Sequence, residues 1–208
     1  MNKNCCYIFA AGDFNGNIDI SDGDFIIAAD AGYLHLKKLE ITPDLLVGDF
    51  DSLEAIPKCK EILRFKPEKD LTDTTIAVSQ AVKRGYRKII ICGALGGKRP
   101  EHSLANLQTA AELAKNGMEI YLTDGVNVIR VIHNSKIEFD ENNSGYISVF
   151  SLTEKSRGVT LSGLKYPLND AILSYCVPLG VSNEFIKGTK STVSVSDGTL
   201  AVFWKTNG

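Results

Sequence analysis

Apolar positions in the first half of the chain fall into short solid runs, and the stretches between them repeat at helical spacing. Tyr7 to Ala10, Phe25 to Ala29, Ile41 to Val47, Ile62 to Phe65, Lys88 to Cys92 and Met118 to Leu122 read as strands, the first two and Leu45 to Val47 as buried ones. Between them, Tyr33, Leu36 and Leu39 mark a short helix, and Ile76, Val78, Ala81 and Val82 mark a longer one that stops at Gly85. A third helix runs from Ser103 to Asn116 and is closed by Gly117. Thr72 is suited to cap the second helix, and Asp73 in its first turn suits the helix dipole. Strands alternating with helices predict a mostly parallel sheet flanked by helices.

From Val126 the pattern changes, and no helix periodicity follows. Short alternating runs take over at Val128 to Ile132, Tyr146 to Phe150, Val159 to Leu161, Thr192 to Val195 and Leu200 to Trp204. Turn signals such as Asn142-Asn143-Ser144-Gly145, Ser162-Gly163 and Ser196-Asp197-Gly198 separate them, which predicts a small antiparallel sandwich or barrel. The fold class expected is therefore α/β followed by a small C-terminal antiparallel β-sandwich. The domains expected are residues 1–130, an α/β domain, and residues 131–208, a β-sandwich domain.

Composition narrows the partners. The chain has 208 residues, 44% hydrophobic and 23% charged, enough for one large or two small domains with real cores. A net charge of −2 gives no general attraction to nucleic acid or an anionic membrane, so any phosphate must be gripped locally. Cys5, Cys6, Cys59, Cys92 and Cys176 lack CxxC spacing and read as reduced thiols of a cytoplasmic protein rather than a disulfide frame or a zinc site. The apolar run Cys5 to Ala11 passes straight into Gly12-Asp13-Phe14-Asn15-Gly16 and reads as a first strand and turn, not a signal peptide. No apolar stretch approaches the roughly 20 residues that span a bilayer.

The chemistry gathers around Gly48-Asp49-Phe50-Asp51-Ser52, which closes the run Leu45-Leu46-Val47. In open α/β sheets ligands bind at the carboxyl ends of the strands, where this acidic pair is expected. An isolated pair of this kind more often caps a turn than binds a metal, so its surroundings decide. Asp30, Asp70 and Asp73 are expected at other strand ends of the same half. Carboxylates converging on one edge repel one another, and a divalent metal is the simplest compensation. Mg²⁺ is the natural candidate, since it binds through one or two carboxylates together with substrate phosphates. Gly93-Ala94-Leu95-Gly96-Gly97 between a strand and a helix offers backbone N–H groups to phosphate, although it has neither Walker nor dinucleotide spacing. Lys98, Arg99 and His102 follow it. Taken singly they are surface charges or a cap; beside a glycine loop and facing acids, they suit phosphoryl or pyrophosphoryl transfer. His35 and His133 carry no partner pattern and read as structural, and Cys92 lies in an apolar strand where thiols are inert.

Taken together, these segments resemble the thiamine pyrophosphokinase family. The resemblance is carried by DAG at Asp30 to Gly32, PDLLVGDFDS at Pro43 to Ser52, KDLTD at Lys69 to Asp73, GALGG at Gly93 to Gly97 and HSLAN at His102 to Asn106. GLKYPL at Gly163 to Leu168 and GVSNEF at Gly180 to Phe185 continue it through the second half. The resemblance implies transfer of the pyrophosphoryl group of ATP to the hydroxyl of thiamine, giving thiamine diphosphate and AMP. It further implies that residues 1–130 are the catalytic, ATP-binding domain and residues 131–208 the thiamine-binding domain, in a homodimer with active sites at the subunit interface. Asp49, Asp51 and Asp73 then fall at Mg²⁺-ligand positions, with Asp30 and Asp70 nearby as candidate proton acceptors. Gly96, Gly97, Lys98, Arg99, His102 and Asn106 fall at ATP-contacting positions, and Ser182 and Asn183 at positions that hold the aminopyrimidine of thiamine.

One stretch departs from the family pattern. Where the family reads GG-R-x-D-H, Gly97 is followed here by Lys98-Arg99-Pro100-Glu101-His102, one residue more and with Glu in place of Asp. Counting back from His102 favours Arg99 over Lys98 as the phosphate contact, and guanidinium grips phosphate oxygens bidentately. Two rivals share the same residues: a pyrophosphokinase for another heterocyclic alcohol such as a hydroxymethylpterin, and a non-catalytic thiamine or nucleotide sensor.

Overall fold

The computed structural model describes residues 4–16, 18–51, 59–65 and 71–206. The chain divides into two compact units, one gathering Met1–Thr109 with Ile120–Gly125 and the other Ala110–Glu119 with Val126–Gly208.

The first unit is built on parallel strands: β1 (Cys6–Phe9), β2 (Phe25–Ala29), β3 (Leu45–Gly48), β4 (Glu61–Arg64) and β5 (Lys88–Cys92). Their order across the sheet is β5-β1-β2-β3-β4, with every neighbouring pair parallel. Ile8, Ile27, Leu45, Leu46, Ile89 and Ile91 are fully buried, as expected where both faces of a parallel sheet are covered. β6 (Glu119–Thr123) follows β5 in the order.

Helix α1 (Tyr33–Lys38) is entered through a 3₁₀ turn at Asp30–Gly32. A Cβ on Gly32 would lie 1.9 Å from the Phe9 carbonyl oxygen, so only glycine lets this turn settle against β1. Helix α2 (Asp73–Lys83) begins at Thr72, whose Oγ1 accepts from the Thr75 N–H at 3.1 Å, as the sequence leads one to expect. Its Ala77, Val78 and Ala81 are buried. Helix α3 (Pro100–Lys115) starts three residues before the expected Ser103. Proline is pre-set for the first helical position, where its missing N–H is no loss, so the chain turns helical at Pro100. Glu101 and His102 therefore sit inside the first turn rather than in a loop. Among the described residues, no helix is long and apolar enough to cross a membrane.

The second unit is antiparallel throughout. One layer orders β12 (Gly180–Glu184), β9 (Tyr146–Ser151), β14 (Thr199–Lys205) and β7 (Asn127–His133) side by side. The other orders β11 (Leu168–Ser174), β10 (Lys155–Ser162), β13 (Ser191–Ser194) and β8 (Lys136–Phe139). Ile137, Ile147, Val149, Val159, Leu161, Val193 and Leu200 form its core, with Phe139 packed edge-on against Trp204 at 5.2 Å and Phe185 at 5.1 Å. Three of these strands lie outside the runs that the sequence pattern marks. β8 is short, while β11 and β12 are sheet-edge strands whose exposed positions mix apolar and polar residues.

Candidate active site

Strand register sets the frame of the site. Phe9 is level with Ala28 on one side and Cys92 on the other, while Ala29 is level with Val47. The residues that follow, Ala10, Asp30, Gly48 and Gly93, therefore leave the sheet along one edge. A cavity of about 460 Å³ opens there, walled by the ends of β1, β2 and β5 and the first turns of α2 and α3.

The acidic side of the cavity holds Asp30 and Asp73. Asp30 sits in the left-handed region at φ 46°, uncommon for a non-glycine residue, and its Oδ1 is buried. Gly48 packs directly against it: a Cβ there would lie 3.1 Å from Asp30 Cβ. Asp73 stands at the N-terminus of α2, whose dipole favours a carboxylate. Asp49 and Asp51 leave β3 beside Asp30 without lining this cavity. Asp49 Oδ1 accepts from the Asp51 N–H at 3.1 Å, a local turn of the kind Asp commonly makes. Between them Phe50, also left-handed at φ 69°, buries its ring to 4% exposure and pins the turn to the core. Asp70 and Ser52 lie outside the described residues. Among the described residues, no group of three or more His, Cys, Asp or Glu side chains is assembled to hold a metal ion.

The opposite wall is the glycine loop. Gly96 and Gly97 have φ of 68° and 80°, open to glycine at no steric cost. Lys98, Arg99, His102 and Asn106 share this wall. Asn106 is buried, and its Nδ2 donates to the Ala94 carbonyl at 2.9 Å, tying α3 to the end of β5. Arg99 pairs with Glu101 at 2.9 Å, which holds the Glu101 carboxyl below its ordinary range. Both side chains are exposed, so the arginine is not committed to a buried partner.

Asp13 was not singled out by the sequence pattern. It lines the cavity, its N–H donates to the Leu95 carbonyl at 3.0 Å, and its Oδ2 accepts from the Gly97 N–H at 2.7 Å. The signal that marks it is positional: Gly12-Asp13 follows the end of β1, on the same edge as the other acids. His35 also reaches this wall, with Nε2 2.8 Å from the Gly12 carbonyl oxygen.

In the second unit, Ser182 is exposed and left-handed at φ 57°, whereas Asn183 is only 3% exposed. The two are thus brought to one strand, β12, but face different environments.

Hard carboxylate oxygens on one wall, with glycine N–H groups, a guanidinium and an imidazole on the other, suit a bound polyphosphate and its counter-ion. Comparison with known proteins places this arrangement in context. Residues 19–122 match the model of the thiamin pyrophosphokinase catalytic domain, and residues 134–200 that of the thiamin pyrophosphokinase vitamin B1 binding domain. The chain is 34% identical to a thiamine pyrophosphokinase of Bacillus subtilis, over 87% of each chain. Among solved structures it is similar to thiamine pyrophosphokinase from Bacillus subtilis, with a TM-score of 0.86 at 28% identity, covering 99% of this chain and 100% of that one. It is also similar to the Geobacillus thermodenitrificans enzyme, with a TM-score of 0.81 at 26% identity over 99% of each chain.

Proposed function

Since this chain belongs to the thiamin pyrophosphokinase family, we propose that the cavity at the strand ends is where it binds ATP and transfers a pyrophosphoryl group. The protein is an ATP-dependent diphosphotransferase, a thiamine pyrophosphokinase that converts thiamine and ATP to thiamine diphosphate and AMP. The observation that carries the site assignment is the meeting of Asp30, Asp73, Gly96, Gly97, Arg99, His102 and Asn106 around one cavity of about 460 Å³.

Mg²⁺ fits the donor set. Among the described residues no three-ligand cage is assembled; Mg²⁺ takes one or two protein carboxylates and completes its shell with phosphates and water. Asp73, which lines the cavity, would hold it, and Asp49 and Asp51, which leave β3 without lining the cavity, are the further candidates. Held there, Mg²⁺ would supply charge neutralisation to the triphosphate and to the charge developing during transfer.

The chain's own groups supply the rest. The Gly96 end of the glycine loop and the Arg99 guanidinium hold phosphate oxygens, while Asp13 keeps the Gly97 N–H, with Lys98 as a further cation and His102 and Asn106 fixing the start of α3. The thiamine hydroxyl oxygen attacks the β-phosphorus in line; the new O–P bond forms as the bridge between the α- and β-phosphates breaks, and AMP departs with that bridging oxygen. Asp30 or Asp70 accepts the hydroxyl proton. Ser182 and Asn183 belong to the thiamine side. The enzyme is proposed to act as a cytoplasmic homodimer with active sites at the subunit interface.

Incubating the protein with ATP, Mg²⁺ and thiamine and separating the nucleotides tests this directly. Thiamine-dependent AMP is the expected product; ADP, or AMP that forms equally with a hydroxymethylpterin, would overturn the assignment.

A further inference from the structure

Beyond the ends of β1 and β5 the two chain segments stay laced together. The Ala10 N–H donates to the Cys92 carbonyl at 2.8 Å, the Gly12 N–H to the Gly93 carbonyl at 2.9 Å and the Asp13 N–H to the Leu95 carbonyl at 3.0 Å. These three rungs run from backbone to backbone, so other side chains could stand there without changing them. The fourth rung differs. The Gly97 N–H finds its acceptor in a side chain, Asp13 Oδ2 at 2.7 Å, the short distance expected of an N–H bond to a carboxylate. It is the rung next to Lys98 and Arg99, which line the same cavity.

The segment that carries Asp13 is itself fastened on both sides. His35 Nε2 lies 2.8 Å from the Gly12 carbonyl oxygen, and the Asn15 N–H donates to the Asp124 carbonyl at 2.8 Å. Asp13 thus reaches the glycine loop from a fixed base. The fit is close at Gly96, where a Cβ would lie 2.5 Å from Asp13 Oδ2. Glycine is therefore required at 96 by the neighbouring carboxylate as well as by its backbone angle. Asp13 lies ahead of residues 19–122, the stretch that matches the catalytic-domain model.

Two successive left-handed glycines leave a loop many conformations when it is untied, and a ligand that needs one of them must meet the cost of ordering it. A loop held in advance spares the ligand part of that cost. Packing does not explain the aspartate, because its side chain is exposed and its removal opens no cavity in the core.

We propose that Asp13 is a positioning residue for the triphosphate of ATP: its carboxylate holds the Gly97 N–H and so presets the Gly96-Gly97 turn, with Lys98 and Arg99 following it, in the shape that receives phosphate. It touches no reacting atom. This rests on the reading of the cavity as the ATP site.

Steady-state kinetics of Asp13→Ala and Asp13→Asn, with amide exchange at Gly97, test it. Asp13→Ala removes the acceptor and should raise the KM for ATP by about tenfold, the scale of one hydrogen bond to a charged group, while the KM for thiamine stays within about twofold. Asp13→Asn keeps a carbonyl oxygen in the same place and should return the KM for ATP to within about threefold of wild type. The Gly97 amide should exchange slowly in ATP-free wild-type protein and in Asp13→Asn, and fast in Asp13→Ala. Fast exchange in the wild type would overturn the proposal whether or not Asp13→Ala folds. A KM for ATP raised equally in both variants would make the charge, not the held N–H, the contribution of Asp13 and would also overturn it. So would a lowered KM for ATP in both, which would make the carboxylate an occupant of a phosphate seat. A KM for ATP within about twofold of wild type in Asp13→Ala overturns it when Arg99→Ala raises that KM. If Arg99→Ala leaves the KM for ATP unchanged as well, the assignment of the cavity to ATP is what fails.

Discussion

Two carboxylates show how differently the same residue type is held. Asp73 rests in the dipole of a well-capped helix at the cavity wall, whereas Asp49 is folded back on its own turn, with the Phe50 ring as anchor. Both are only partly buried, so replacing either by Asn removes charge without opening the core. Asp73→Asn and Asp49→Asn should lower kcat by about 10²–10³-fold, the scale of losing one electrostatic contributor to a transition state, with an unchanged circular dichroism spectrum. Turnover within a few-fold of wild type would remove them from the metal site. Arg99 makes a separate case, because it pairs with Glu101 and both side chains are exposed. Arg99→Ala should raise the KM for ATP by about tenfold and more than Lys98→Ala does, with no loss of thermal midpoint. The acids were legible as residue types at strand ends. Asp13 was not, because its importance lies in a hydrogen bond to Gly97, a residue far away along the chain.

At the scale of elements, the site depends on how helices are fastened to strand ends. Thr72 announces α2 in the sequence because capping is local chemistry, read from neighbouring residues. Asn106 gives no such sign: it lies within α3, and its role is to satisfy the Ala94 carbonyl where β5 ends. Asn106→Ala leaves that carbonyl buried without its donor and should cost about 1–3 kcal/mol, measured by chemical denaturation. The same variant should raise the KM for ATP, since the Gly96-Gly97 loop lies between the two elements so joined. A stability change below about 0.5 kcal/mol would mean the bond is incidental. Helix α3 itself was legible except for its first turn, where Pro100 looks like a loop residue until its fixed backbone angle is matched to the first helical position.

At the scale of the molecule, the change from parallel to antiparallel strands was written in the hydrophobic pattern, because solid apolar runs and alternating runs bury different numbers of faces. Of the strands missed, β8 alternates cleanly but over only four residues, while β11 and β12 lie at sheet edges, where exposed side chains dilute the alternation. Each unit has its own core, and the thiols report on them separately. Burial pushes the Cys92 thiol well above its ordinary value, while Cys176 is exposed. A thiol reagent should therefore label Cys176 in native protein. Cys6 and Cys92 should stay protected until denaturant opens the first unit. Labelling of Cys92 at the rate of Cys176 in native protein would contradict the burial described here.

The most direct test of the central claim follows the phosphorus atoms. With ATP labelled separately at the β and γ positions, Mg²⁺ and thiamine, both labels should appear together in thiamine diphosphate, matched by one AMP for each product molecule. The Asp73→Asn protein should bring neither label across at a comparable rate. Transfer of the γ label alone, with ADP as the other product, would contradict the account.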